Sequence, residues 1–272
     1  MRDHAGRRKG KEQVKLLVQS DDYGITRGTA RGTIRAVQYG PVRNTGLFAN
    51  MPWAEEVTEW IRPFFEHIAF GIDLNMVNGP SVLGYREAPA LCHEDGTFLS
   101  IKENRQLDNA ENGNDHIDSE QLYREFRAQI ERFIAIAGRL PDYVHPHAYQ
   151  TGKTEAVIRR LAEEYRIPYS MDFAKLPDAV MPSMGWYTFG TMEQQLQEDP
   201  LGYLLEDRTG YLKHEYGYLI THCGELDSDT LHLPFNICRL RDLEALTDPR
   251  LKRWIDHNRI ELITFRDIRN QI

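Results

Sequence analysis

The stretch Leu16-Leu17-Val18-Gln19-Ser20-Asp21-Asp22-Tyr23-Gly24 decides how the rest of this sequence is interpreted. A short apolar run that is closed by a glycine is typical of a buried β-strand. Such a strand would end in two adjacent carboxylates, which repel each other unless a cation or a proton neutralises them. We therefore interpret Asp21 and Asp22 as one corner of a metal-dependent hydrolytic site. The alternative at this point is a solvated turn in which Asp22 caps the next helix.

Apolar runs alternate with helix-spaced stretches along most of the remaining chain. After the first strand, the runs that predict further strands are 45–50, 67–74, 143–147, 167–171, 217–222 and 261–265. The stretches that predict helices are 27–38, 53–65, 122–137, 153–165, 192–205, 240–246 and 249–258. Strands that alternate with helices indicate βα units and a mostly parallel sheet. Because no internal repeat or domain boundary is visible, we expect a single-domain α/β protein, a distorted or incomplete (β/α) barrel over residues 14–272.

Two segments fall outside this alternation. Residues 76–118 are rich in Gly, Pro, Asn and Asp and show no period. A loop of that length in a compact domain is usually a lid, a binding loop or a disordered excursion. Residues 1–13 carry five basic side chains and predict a flexible tail rather than a binding arm.

Composition narrows the functional class. The 272 residues have a net charge of −8, which argues against general nucleic-acid binding because that function requires a basic face. No apolar run is long enough for a transmembrane helix, and no apolar h-region follows the basic start, so we expect neither a membrane span nor a signal peptide. The three cysteines are widely spaced and odd in number, which predicts free thiols and a cytoplasmic protein.

Six acidic or histidine residues lie at the C-terminal ends of predicted strands. They are Asp21, Asp22, Asp73, His145, His147 and His222. In a parallel barrel the C-terminal ends of all strands open on one face, where active sites form. His145 and His147 are two residues apart, so both should point the same way in an extended segment. Each residue alone could be a turn acid or a hydrogen-bonded core histidine, and their joint placement is the stronger argument for a site.

Six segments, in their order and spacing, also resemble a known family. They are Ser20–Ile25 (SDDYGI), Asn50–Ala54 (NMPWA), Gly71–Asn75 (GIDLN), Asp95–Phe98 (DGTF), Glu125–Ile130 (EFRAQI) and Thr221–Gly224 (THCG). This pattern is similar to that of the YdjC-like carbohydrate deacetylases, the group that includes chitin-disaccharide deacetylase. The resemblance implies a barrel of the NodB-like, glycoside hydrolase/deacetylase type. It also implies hydrolytic removal of an acetyl group from an N-acetylated sugar, with a divalent metal held by an Asp and two His.

The sequence departs from the family pattern at neighbouring points of the expected site. Asp73 stands where the family has His, and His145 stands where it has Asp. The family's later histidine falls on Tyr149. Because one His has become Asp and one Asp has become His, we interpret the exchange as compensatory.

The exchange leaves the metal ligands open. Asp22, Asp73 and His147 would bind the ion in the family's positions, with His145 beside them. Alternatively, Asp22, His145 and His147 bind it while Asp73 orients one imidazole, or the site is degraded and binds no metal. Mg²⁺ is the first expectation, because carboxylates favour hard ions, with Zn²⁺, Mn²⁺ and Co²⁺ as alternatives.

The resemblance also suggests roles. Asp21 would be the general base, and His222 would protonate the leaving amine. Substrate contacts are expected from Asn75, Tyr85 and Arg239, with the loop 85–98 over the sugar. A helix-start arginine paired with Asp242 is the alternative for Arg239.

We expect a small carbohydrate as the partner, neither nucleic acid nor membrane, and we leave a homodimer open. A sugar-binding pseudoenzyme and a different metal hydrolase are the competing functions. The second is less favoured because no basic or glycine-rich phosphate cradle is visible.

Overall fold

The computed structural model describes residues 13–108, 115–188 and 190–272. Nearly all of the tail predicted for residues 1–13 therefore lies outside the described residues, as does the polar stretch 109–114. In the described ranges the strands are parallel and form one curled sheet. The strands are β1 (Lys15–Tyr23), β2 (Asn44–Leu47), β3 (Ala69–Leu74), β4 (Val144–Pro146), β5 (Ala179–Val180), β6 (Tyr216–Thr221) and β7 (Glu261–Ile263).

The opening stretch of the sequence forms the central strand. The order of the sheet is β4-β3-β2-β1-β6-β5, and β7 also pairs with β1. Residues Lys15–Leu17 of β1 pair with β7, whereas pairing with β2 begins at Gln19. Because β1 is covered on both faces, nearly all of it is buried, which explains its continuous apolar start. The sheet curls without closing between β4 and β5, and the predicted incomplete barrel is confirmed.

Helices connect the strands and cover the outside of the sheet. They are α1 (Arg27–Tyr39), α2 (Ala54–Ile61), α3 (Ile101–Leu107), α4 (Ser119–Ala137), α5 (Gly152–Tyr165), α6 (Met192–Gln195), α7 (Pro200–Leu205), α8 (Asn236–Thr247), α9 (Pro249–His257) and α10 (Phe265–Ile268). None of the helices in the described ranges is long and apolar enough to cross a membrane.

The structure differs from the predicted elements in several places, and it contains a two-residue strand, β5, and a short helix, α10, that were not predicted. The strand predicted at 167–171 is wrong: Tyr169 makes an isolated bridge to Val144, and a 3₁₀ helix follows it. The single helix predicted at 192–205 is two, because the side chain of Asp199 caps a new helix that begins at Pro200. The long loop 76–118 contains α3, whose start is a capping box formed by Ser100 and Glu103.

Candidate active site

A cavity of about 470 Å³ opens at the C-terminal ends of the strands, and six of the nine predicted site residues line it, whereas Asp73, Asn75 and Tyr85 do not. Its lining includes Asp21, Asp22, His145, His147, His222 and Arg239. These residues come from β1, from β4 and its end, from the end of β6 and from α8. The parallel topology therefore brings together side chains that are up to 218 positions apart in the sequence.

A bulge in β1 lets two adjacent carboxylates face the same cavity. Neighbouring residues of a regular strand point to opposite faces of the sheet. Here the register between β1 and β2 shifts between Ser20 and Tyr23, and Asp22 has a left-handed backbone with φ of 64°. Aspartate tolerates that conformation better than most residues. Thr26, not Asp22, caps α1, so the helix-cap interpretation of Asp22 is wrong.

Asp22 lies between an imidazole and a guanidinium. Its Oδ1 is 2.9 Å from Nδ1 of His147, and Nη2 of Arg239 donates to its Oδ2 at 2.7 Å. Burial would raise the pKa of Asp22, but His147 and Arg239 outweigh it and hold that pKa well below its usual value. Asp22 is therefore a buried anion. Arg239 therefore pairs with Asp22 and not with Asp242, which was the alternative partner expected from the sequence.

Asp21 lies between two imidazoles on its other side. Nε2 of His145 is 3.1 Å from Oδ2 of Asp21, and Nε2 of His222 is 3.9 Å from the same oxygen. The amide of Gln19 donates to Oδ1. Burial would raise the pKa of Asp21, but the two histidines outweigh it and keep that pKa below its usual value. Nδ1 of His145 is 2.7 Å from Oγ of Ser170, so both nitrogens of His145 have a partner.

Asp73 has a different environment from the other two acids. Its Oδ2 accepts the backbone N–H of Asp22 at 2.8 Å, while its buried Oδ1 has no hydrogen-bond partner. The carboxyl packs against Gly46, where a Cβ would lie only 1.8 Å from Oδ1. Burial and repulsion from Asp21 and Asp22 raise the pKa of Asp73 well above its usual value. The charged form of Asp73 is therefore less favoured here than it is in water.

His147 contacts a residue that the sequence did not single out. Nδ2 of Asn78 lies 2.9 Å from Nε2 of His147, and Asn78 also lines the cavity. Asn75, the predicted substrate ligand, is instead buried beneath this turn, where its Oδ1 accepts the backbone N–H groups of Val77 and Asn78 at 3.0 Å. Glu125, in one of the family-like segments, is fully buried and accepts the backbone N–H groups of Val82 and Leu83. The clue in the sequence was the density of Asn after β3.

His222 is held by a second group of residues, of which the sequence singled out only Asp242, as the alternative partner of Arg239. Its Nδ1 lies 2.8 Å from the hydroxyl of Tyr187, which donates to Oδ2 of Asp242. The same oxygen accepts the backbone N–H of His222 at 2.8 Å, and Trp186 donates to Oδ1 at 2.9 Å. Tyr187 lies in a segment without secondary-structure periodicity, so no sequence signal pointed to it.

The cavity mouth is formed by other residues than expected. Tyr85 is 40% exposed, and neither it nor the rest of 85–98 is among the described lining residues. The mouth instead includes Ile101 of α3 and Gln150, and several apolar side chains form its walls. Tyr149 donates to Asp108 at 2.6 Å and thereby joins the end of α3 to the loop after β4.

The donor set was tested against the divalent metal that the family resemblance implies. Among the residues that the structure describes, no group of three or more His, Cys, Asp or Glu is arranged to hold an ion. Two donors nevertheless converge: Oδ1 of Asp22 and Nδ1 of His147 lie 2.9 Å apart. Neighbouring ligands of an octahedral ion with bonds of about 2.1 Å lie about 3 Å apart. The pair fits an ion that keeps most of its water, as Mg²⁺ does.

The chain was compared with known proteins. A family model described as YdjC-like protein matches residues 15–257. Carbohydrate deacetylase 2 of Listeria innocua is 27% identical over 265 residues, which cover 94% of this chain and 99% of that protein. A carbohydrate deacetylase of Geobacillus stearothermophilus is 28% identical over 255 residues, which cover 92% of this chain and 96% of that protein.

Solved structures show the same fold. A protein of Enterococcus faecalis described as a cellobiose-phosphate cleavage protein superposes with a TM-score of 0.75 at 24% identity, covering 94% of this chain and 99% of the other. A mutant of a CE4-family pseudoenzyme with restored enzymatic activity has a TM-score of 0.50 at 10% identity, covering 95% and 68%.

Proposed function

The chain belongs to the YdjC-like protein family, and on this premise we propose that it is a metal-dependent carbohydrate deacetylase. The substrate would be an N-acetylated sugar or small oligosaccharide. The single observation that carries the proposal is the placement of Asp21, an anionic carboxylate between two imidazoles, beside the Asp22–His147 pair in one cavity. We also propose that the protein is cytoplasmic, because Cys92, Cys223 and Cys238 are all free and buried, as is usual in a reducing compartment.

Hydrolysis of an acetamide needs a base for water and an acid for the departing nitrogen. Asp21 keeps its proton-accepting form because its pKa is lowered, so it can take a proton from the attacking water. The oxygen of that water adds to the acetyl carbon to give a tetrahedral intermediate. The C–N bond then breaks as His222, when both of its nitrogens are protonated, gives the proton at Nε2 to the amine. The products are acetate and the free amino sugar. Each acid/base role is typically worth about 10²–10⁴ in rate.

Asp22 and His147 would hold the divalent ion. Asp73 is the third candidate ligand, but its carboxyl is fully buried against Gly46 outside the described cavity lining and would have to turn toward the ion. When bound there, Mg²⁺ or a related ion would polarise the acetyl carbonyl and acidify water. His145 contacts Asp21 and Ser170 rather than Asp22, which supports the placement of this residue beside the metal rather than on it. Arg239 neutralises the remaining charge of Asp22 from the other oxygen.

The cavity walls suit a sugar that is held by one face. Ile25, Met171, Met181, Leu233 and Pro234 are apolar lining residues around the charged floor. A pyranose ring presents C–H groups on its faces, and these can pack against such walls. Asn78 and Gln150 are the amide side chains in the lining that can reach hydroxyl groups.

The experiment is an acetate-release assay on a panel of N-acetylated monosaccharides and disaccharides. The purified chain is tested after chelation and after addition of Mg²⁺, Mn²⁺, Co²⁺ or Zn²⁺. We expect metal-dependent release from at least one sugar, and loss of release in Asp21→Asn. Release that is equally fast after chelation would contradict the metal requirement.

The absence of a three-donor group in the described residues favours one alternative, a sugar-binding pseudoenzyme on the same barrel. Bound metal or sugar with no acetate from any sugar of the panel would support it. Calorimetric titration with the same sugars separates this outcome from an inactive preparation, because a pseudoenzyme still binds.

A further inference from the structure

His222 is tied to Asp242 twice, once through its backbone and once through its ring. Oδ2 of Asp242 accepts the backbone N–H of His222 at 2.8 Å. The same oxygen accepts the hydroxyl of Tyr187, and that hydroxyl lies 2.8 Å from Nδ1 of His222. Tyr187 therefore bridges the imidazole and a carboxylate that does not bind the ring directly.

The direction of these hydrogen bonds follows from which groups can donate. The indole of Trp186 and the backbone N–H of His222 are donors without lone pairs to offer, so Asp242 accepts from both. Burial raises the pKa of Asp242, and the three donors around this acid oppose that effect by favouring its ionised form. As a carboxylate Asp242 accepts only, so the hydroxyl of Tyr187 donates its one proton to it. The oxygen of Tyr187 is then left to accept, and Nδ1 of His222 must carry the proton between them.

We propose that Tyr187 is a positioning residue that holds neutral His222 in the tautomer with the proton on Nδ1. Nε2 is then the nitrogen that faces Asp21, 3.9 Å from its Oδ2, at the floor of the cavity. In this arrangement the proton that His222 exchanges with substrate is always the one on Nε2. The role in catalysis rests on the proposed function, whereas the tautomer does not.

Two further observations support the bridge. Burial beside Asp242 raises the pKa of Tyr187 well above its usual value, so the hydroxyl keeps the proton that it donates. The ring of Tyr187 also meets the ring of His222 edge to face, with centroids 5.6 Å apart. Contact through both the hydroxyl and the ring limits rotation of the imidazole.

The test compares wild type with Tyr187→Phe, which keeps the ring and removes the bridging hydroxyl. Tyr203→Phe is the matched control. It removes a nearby hydroxyl, which contacts Ser183, and keeps a ring that packs on Trp186. Two-bond ¹H–¹⁵N correlation spectra report the tautomer of each histidine, and a His222→Gln variant assigns the signal. Acetate release gives kcat and KM for the same proteins.

We expect neutral His222 to carry its proton on Nδ1 in wild type and in Tyr203→Phe, and to become a tautomer mixture in Tyr187→Phe. We expect kcat of Tyr187→Phe to fall about tenfold or more, a part of the about 10²–10⁴ that one acid/base role is worth, with KM changed less than about threefold. A wild-type His222 with its proton on Nε2 would overturn the proposal, and so would a Tyr187→Phe variant with the wild-type tautomer. Because the spectra require no turnover, they decide the tautomer even if no sugar is deacetylated.

Discussion

Asp73 and His145 are register partners on the neighbouring parallel strands β3 and β4, and their side chains contact different members of the acid pair. Asp73 accepts the backbone N–H of Asp22, whereas His145 lies against the carboxylate of Asp21. Asp73 and His145, at which the resemblance implies an exchange of His for Asp and of Asp for His, are thus adjacent in the sheet. This adjacency supports a compensatory exchange, in which the acid pair gains an imidazole from β4 while β3 supplies an acid.

The contact between His145 and Asp21 predicts a change in the pH dependence of activity. His145 is the main cause that lowers the pKa of Asp21 against the effect of burial. In His145→Gln the burial effect remains and its opposition weakens, so the pKa of Asp21 rises. The acidic limb of the kcat/KM profile should therefore move to higher pH, as measured by acetate release across a buffer series. Ser170→Ala is the control, because it removes the other partner of His145 and leaves both His145 and Asp21 in place. An acidic limb that does not move in His145→Gln would exclude Asp21 as the titrating base.

Asp73 should cost stability when no metal is bound. Its pKa is raised in the folded state, so folding retains a proton that the unfolded chain releases above its pKa near 3.8. The cost is therefore absent at lower pH and grows as pH rises toward the folded pKa. We expect Asp73→Asn to raise the Tm of the metal-free protein at pH 7 by at least about 2 °C, roughly 1 kcal/mol.

Scanning calorimetry from pH 7 down to pH 4 measures this difference, which should shrink as the pH falls. Added Mg²⁺ should stabilise wild type more than Asp73→Asn if Asp73 is a ligand. A variant with a lower Tm than wild type at pH 7 without metal would contradict the raised pKa of Asp73.

Arg239 should stabilise the folded protein through Asp22. The pair is buried, and removal of one partner from a buried ion pair typically costs about 3–5 kcal/mol. Arg239→Gln should therefore lower the Tm strongly in chelator, and Mg²⁺ should restore part of the loss because a cation can replace the guanidinium charge beside Asp22. Arg239→Lys keeps the charge and serves as the control. If Mg²⁺ raises the Tm of Arg239→Gln no more than that of wild type, the ion does not bind at Asp22.

The two adjacent acids should separate metal binding from turnover. Asp22→Ala should lose both Mg²⁺ binding and acetate release, because it removes one of the two converging donors. Asp21→Asn should keep binding and lose turnover, because its side chain meets imidazoles and cannot act as a base. Titration calorimetry with Mg²⁺ compares the two proteins, and wild-type affinity in Asp22→Ala would rule out the ligand assignment.

The residue pattern by itself determined the class of fold and the location of the site. Continuous apolar runs alternate with amphipathic helices. A helix between two strands lets them run parallel, and the helices cover the sheet, so its strands are buried and continuously apolar. Polar residues that end such strands must meet at one edge, so Asp21, Asp22, His145, His147 and His222 could be grouped without coordinates. Local caps were less visible, which is why α3 was missed within the long loop.

The tertiary structure decided which partner each of these residues has. Asp21 and Asp22 share a cavity because a bulge breaks the strand alternation, and a bulge depends on pairing with β2 rather than on the stretch alone. Tyr187 contacts His222 and Asp242, and Asn78 contacts His147, through hydrogen bonds between residues that are distant in the sequence. Such contacts have no sequence period. Periodicity reports which face a residue occupies, whereas partners are set by packing between distant elements.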